Sequence, residues 1–135
     1  MASPYSIFST DKNLESGAGV DICYPGFTIT IHRAGGSNAK YATTLKEKAK
    51  PHSKMIANGM LDEKIASSML IEAFAESVVI GWKGVTDETG KEMPFSVENC
   101  VKLFTDLPDL YADIKAQAED FKIFQKANEE AERKN

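Results

Sequence analysis

The residue types best suited to chemistry fall in one short stretch, His32-Arg33-Ala34-Gly35-Gly36-Ser37-Asn38. A basic side chain, paired glycines and a hydroxyl ahead of a helix are the ingredients of a phosphate cradle, in which consecutive backbone N–H groups wrap an anion. The spacing argues against that use. A P-loop needs Gly-x-x-x-x-Gly-Lys-Ser/Thr and a dinucleotide fold needs Gly-x-Gly-x-x-Gly. Here Gly35 and Gly36 are adjacent, and no lysine–serine pair follows. The simpler reading is a strand-to-helix junction. The glycines let the backbone turn, and Ser37 or Asn38 caps the next helix. An anion held at that helix start is the alternative, and Arg33 is a candidate partner contact.

Other reactive residues are scattered. Glu72 and Glu76 lie one helical turn apart, but no histidine accompanies them and they read as a solvated face. Cys23 and Cys100 are far apart without C-x-x-C spacing, as expected of two free thiols in a reducing compartment. The acidic turn Thr86-Asp-Glu-Thr-Gly90 lacks the alternating ligands of an EF-hand. These residues and two histidines make no triad, metal set or glycosidase pair by spacing. The expectation is a protein that is not an enzyme and holds neither cofactor nor metal.

The elements that position these residues can be read from periodicity. Residues 1–19 are polar, end in Ser16-Gly-Ala-Gly19 and read as a flexible N-terminal arm. Val20, Ile22 and Tyr24 alternate with polar neighbours, as do Phe27, Ile29 and Ile31 beyond Pro25-Gly26, which predicts a β-hairpin over 20–32. An additional strand could come from Lys83–Val85 or from Lys91–Met93. Helices are predicted at about 38–50, 61–80, 97–106 and 108–131. Pro51 ends the first, and Ala66, Leu70, Phe74 and Val78 stripe the second. Ser96 caps the third and Pro108 opens the fourth. Trp82 reads as a core anchor. The fold class is α+β: a helix-dominated single domain over 20–135 with an N-terminal β-hairpin and a long C-terminal helix.

Composition narrows the partners. The chain has 135 residues, 42% of them apolar and 27% charged, enough for one domain with its own core. Lys40, Lys46, Lys48, Lys50 and Lys54 crowd one helix. Aromatic interleaving is confined to Tyr41 and the net charge is −4, so a solvated face explains them better than nucleic-acid binding. No apolar run approaches the roughly 20 residues that span a bilayer, and the first residues lack the regions of a signal peptide. A cytoplasmic protein without membrane or nucleic-acid partners is expected. In the last helix Ile114, Phe121 and Phe124 lie on an apolar stripe that serves either the core or a partner.

Two blocks of sequence carry a resemblance. The first is Phe8-Ser-Thr-Asp11, Leu14-Glu15, Gly19-Val20, Phe27-Thr-Ile-Thr-Ile31 and Arg33-Ala-Gly-Gly-Ser-Asn38. The second is Gly81-Trp-Lys-Gly-Val85, Asp87, Gly90-Lys91, Pro94-Phe-Ser96 and Glu98-Asn99. In this order they resemble the tail assembly chaperones of long-tailed bacteriophages, over most of the chain from Phe8. The resemblance implies a role without catalysis. Such proteins bind the tape measure protein, a long helical chain that sets tail length. They keep it soluble in the host cytoplasm until tube subunits polymerise around it, and they are absent from the finished virion. In many members a programmed ribosomal frameshift adds a second domain, and the extended form recruits the tail tube protein. The ending Arg133-Lys134-Asn135 permits a slippery heptamer in the gene. By this resemblance Ile114, Phe121, Phe124 and Arg33 become candidate partner-binding residues, with self-association a further use of the same surface. The competing reading is a structural minor tail or tube protein retained in the virion.

Overall fold

The computed structural model describes residues 3–125. Two short helices come first, α1 (Pro4–Phe8) and α2 (Lys12–Ser16), each opened by a side-chain cap, from Ser3 and Asp11. Strands β1 (Val20–Tyr24) and β2 (Phe27–Ile31) then pair antiparallel, with Tyr24 opposite Phe27. Only Pro25 and Gly26 remain for the turn. Proline followed by a glycine at φ +88° is the residue pattern of a type II turn.

Helix α3 (Ala39–Ala49) follows and runs through a 3₁₀ turn (Lys50–His52) into α4 (Ser53–Ala57). Helix α5 (Glu63–Ser77) is capped by Asp62, leads into β3 (Val79–Lys83) and packs along α3. After a loop come α6 (Val97–Asp106), α7 (Pro108–Ala118) and a 3₁₀ turn (Phe121–Phe124). The domain is α+β, with helices gathered on one face of a three-stranded antiparallel sheet of order β1-β2-β3.

The core lies between sheet and helices. Ile22, Ile29, Ile31 and Val79 from the sheet meet Phe74 and Val78 from the end of α5, Cys100 and Phe104 from α6, and Ile114 and Ala118 from α7. Rings of Tyr41, Phe74, Tyr111 and Phe104 meet in succession at centroid distances of 5.3–5.5 Å, largely edge to face. Tyr24 Oη donates to Asp113 Oδ2 at 2.5 Å and ties the hairpin to α7.

Four local expectations need correction. The N-terminal arm expected over 1–19 contains α1 and α2, and Glu15 within it is buried. The helix expected over 61–80 stops at Ser77, and the third strand begins earlier than either candidate segment. Val78-Val79-Ile80 is a β-branched run that suits a pleated surface, and Val79 pairs with Ile31 across a register shift. The long last helix ends at Ala118. Asp120 accepts from the Lys122 amide at 3.0 Å and starts a new turn, which swings Phe124 into full burial. The expected continuation over 126–131 and the frameshift reading at Arg133–Asn135 lie outside the described residues.

Candidate partner-binding surface

The Gly35–Gly36 turn is built around an internal anion. Glu15 is 2% exposed; its Oε2 accepts from Arg33 Nη1 at 2.6 Å and its Oε1 from the Ser37 amide at 3.1 Å. A Cβ on Gly36, whose φ is +54°, would sit 2.3 Å from that carboxylate. The glycine therefore leaves the space that Glu15 fills. Burial raises the Glu15 pKa, but the hydrogen bonds from Arg33, Ser37 and Thr10 outweigh it and hold the carboxyl below its ordinary value.

Asn38 sits at the N-cap of α3 without capping it. Its buried Nδ2 instead donates to the carbonyls of Arg33 and Ser77, both at 2.8 Å. The stretch that resembled a phosphate cradle thus locks α2, the end of β2 and the end of α5 together. It is a strand-to-helix junction whose anion is the chain's own.

The candidate partner residues are placed very differently from one another. Ile114 and Phe124 are fully buried and present no surface to a partner. Their stripe is spent on the core, because the turn after α7 brings Phe124 inward. Arg33 is engaged by Glu15. Phe121 is half-buried and lies 5.1 Å, centroid to centroid, from the exposed ring of Phe8. Of the four, Phe121 alone borders an apolar surface, and that surface is made with α1.

Most of the other residues singled out from the sequence are engaged within the fold. Lys48 forms an ion pair with Glu76, whose hydrogen bond raises the lysine pKa. The buried Cys100 thiol is pushed up to about 12 by desolvation, whereas Cys23 is exposed. Asp87 Oδ1 accepts from the amides of Thr89 and Lys91, closing the acidic turn on itself. Trp82 is half-buried, donates from Nε1 to the Met93 carbonyl at 2.8 Å and packs edge-on against Phe95. Among the described residues no group of three His, Cys, Asp or Glu is arranged to hold a metal ion, and no helix is long and apolar enough to cross a membrane.

What the surface offers is apolar area. Met55 (50% exposed), Ile56 (43%), Met60 (69%) and Ile65 (41%) cluster in sequence around α4 and the start of α5. Met60 is tied back to Met55 by a 2.8 Å hydrogen bond from its amide, in a turn allowed by Gly59 at φ +67°. Beside Ile65 lies a depression of about 260 Å³ lined by Lys48, His52, Lys64, Met69 and Glu72. That is below the roughly 300–1,000 Å³ typical of small-molecule sites. A second depression, about 340 Å³, runs between Met93, Leu103 and Leu107 and is rimmed by Asp87, Glu88 and Asp106. Sequence reading missed the first surface because Met55, Ile56 and Met60 sit in a short turn-rich segment where neither period can be counted. The signal there was composition: three large apolar residues in a segment with no counterpart stripe.

Residues 36–135 match the family model described as YdaY prophage protein. The chain belongs to this family. It is therefore of phage origin, and the matched region takes in α3 through α7 and with them both depressions. The second block of the tail-chaperone resemblance, residues 81–99, lies inside the YdaY match, while most of the first block precedes it. No curated protein matches the chain, and no solved structure does.

Proposed function

We propose that this YdaY-family chain is a tail assembly chaperone. It binds the tape measure protein of its phage, keeps that long helical chain soluble during tail morphogenesis and takes no part in catalysis. A form extended by frameshifting recruits the tail tube protein. The observation that carries the reading is exposed apolar surface on a small phage-family domain that already has a complete core. Tyr5, Phe8, Met55, Met60, Ile65 and Leu107 are all more than two-fifths exposed. Exposed apolar residues mark contact sites where they join into a contiguous patch. A helical client with an unpaired apolar seam aggregates unless such a surface covers it, and many weak contacts along one client add avidity.

Quantitative mass spectrometry of purified particles and of infected-cell lysate tests this. The expected result is abundant chain in the lysate and none above trace in the particles. Stoichiometric copies in the particles would instead make it a structural minor tail or tube protein.

A further inference from the structure

The loop that follows β3 stands against the end of α6 and leaves an apolar groove between them. We propose that this groove takes one helical segment of the client, a segment whose apolar side chains are bordered by lysine or arginine. This rests on the chaperone reading and locates its contact.

The groove is continuous. The depression of about 340 Å³ between Met93, Leu103 and Leu107 shares Thr86, Leu103 and Leu107 with a smaller hollow of about 150 Å³. That hollow runs on to Phe27, Val85 and Leu110. The fold itself holds both walls. On the loop side the Met93 amide donates to the Val85 carbonyl at 2.9 Å, and Thr86 bridges to Glu92. Asp87 Oδ1 closes the turn through the amides of Thr89 and Lys91. On the helical side Leu103 and Leu107 lie one turn apart, and the Leu107 amide donates to the Leu103 carbonyl at 2.9 Å. Pro108 opens α7 directly after, so Leu107 is fixed at the corner and left exposed. A preformed apolar floor inside a polar rim is the layout of a contact site.

The rim selects the occupant by charge. Asp87, Glu88 and Asp106 line the larger depression against Lys102. Lys102 is already engaged by Asp106 at 2.7 Å. That hydrogen bond raises the lysine pKa, and the charges of Glu88 and Asp87 raise it further, so the three carboxylates gather around one point. The surroundings do not cancel the excess. From Lys83 to Leu110 the sequence carries six carboxylates against three lysines. Carboxylates at the edge of an apolar groove favour a partner with lysine or arginine beside its apolar side chains and reject one with acidic residues there. A helix meets such a groove with its i, i+3, i+4, i+7 side chains.

The test uses the full chain and two fluorescent synthetic helical peptides of about 20 residues. They share a leucine stripe; one is flanked by lysines and the other by glutamates. Anisotropy at low ionic strength is expected to show the lysine peptide binding about tenfold or more tightly, with the preference shrinking as salt is added. Leu107→Asp is expected to weaken the lysine peptide by about tenfold or more, with thermal unfolding unchanged. That variant adds a carboxylate, so a merely electrostatic attraction would strengthen instead. Glu88→Lys, at an exposed loop position, is expected to narrow the preference between the peptides by about threefold or more. Met60→Asp, away from the groove lining, is expected to leave binding as it was. Equal binding of the two peptides, no binding of the lysine peptide, or binding unchanged in both Leu107→Asp and Glu88→Lys overturns the proposal. So does a dimer in sedimentation that Leu107→Asp disrupts and the lysine peptide does not, because the occupant is then a second copy. Binding lost in Met60→Asp instead overturns the groove and leaves the chaperone reading standing. Failure of the unaltered chain to hold the client in solution, with the peptide results as expected, sinks the chaperone reading and the client as occupant together.

Discussion

The carboxylate of Glu15 and the guanidinium of Arg33, separated by 18 residues, meet at 2.6 Å inside the Gly35–Gly36 turn. This pair occupies the place where a phosphate would otherwise have to be sought. It makes the basic, glycine-rich stretch a structural joint. Because Glu15 also receives the Ser37 amide, the joint positions the start of α3, and α3 in turn packs along α5.

Removing the carboxylate charge should therefore be felt as stability. Glu15→Gln leaves Arg33 without its anionic partner, and a cost of about 2–3 kcal/mol is expected in denaturant unfolding. The pH dependence has a fixed sign. The folded-state pKa of Glu15 lies below the unfolded value, so its contribution is fully present above about pH 4.5 and is lost as pH falls through the lower folded value. The variant should show a shallower loss of stability below that pH than the parent. An acid limb of unchanged steepness would contradict the assignment.

Asn38 makes the companion prediction. Its side chain bridges the carbonyls of Arg33 and Ser77 from a buried position. Asn38→Ala orphans both acceptors and should cost about 2–4 kcal/mol, more than the few tenths usual when a cap is replaced by glycine. Asn38→Asp, which cannot donate, should be no better. Urea unfolding of the two variants checks this.

These two joints show where sequence reading works and where it stops. The hairpin was legible because Val20-to-Ile31 alternates with period 2 around Pro-Gly, and the pattern and the pairing are the same physical fact. Ser96 was legible as a cap because its Oγ takes the Asn99 amide, a purely local bond. Glu15 was not legible. It sits in a polar segment, and its partners at positions 33 and 37 are known only once the chain has folded back. The end of α5 was misread because Val78 continues the helical stripe while also beginning a β-branched run. Only pairing with Ile31 decides between them.

Phe124 and Phe121, three residues apart, should behave differently. Phe124 is fully buried, so Phe124→Ala should cost about 3–5 kcal/mol. Phe121 is half-buried against Phe8, and Phe121→Ala should cost less than half as much. Equal losses would mean that the turn after α7 does not direct the two rings as described.

The cysteines offer a quick check of burial. Cys23 is exposed, and Cys100 is enclosed with its thiol pushed up to about 12 by desolvation. With an aromatic disulfide reagent at pH 8, one thiol per chain should react promptly and the second only on unfolding. Cys23→Ser should abolish the fast phase and leave the slow one.

The central claim is that this phage protein keeps a long helical client soluble. The most direct measurement is co-expression of the chain with the tape measure protein of the same phage, followed by sedimentation of the clarified lysate. The account predicts that the tape measure protein pellets when expressed alone. Expressed with the chain, it should remain in the supernatant in a complex carrying many copies per client. A tape measure protein that stays insoluble, or that is equally soluble without the chain, would contradict it.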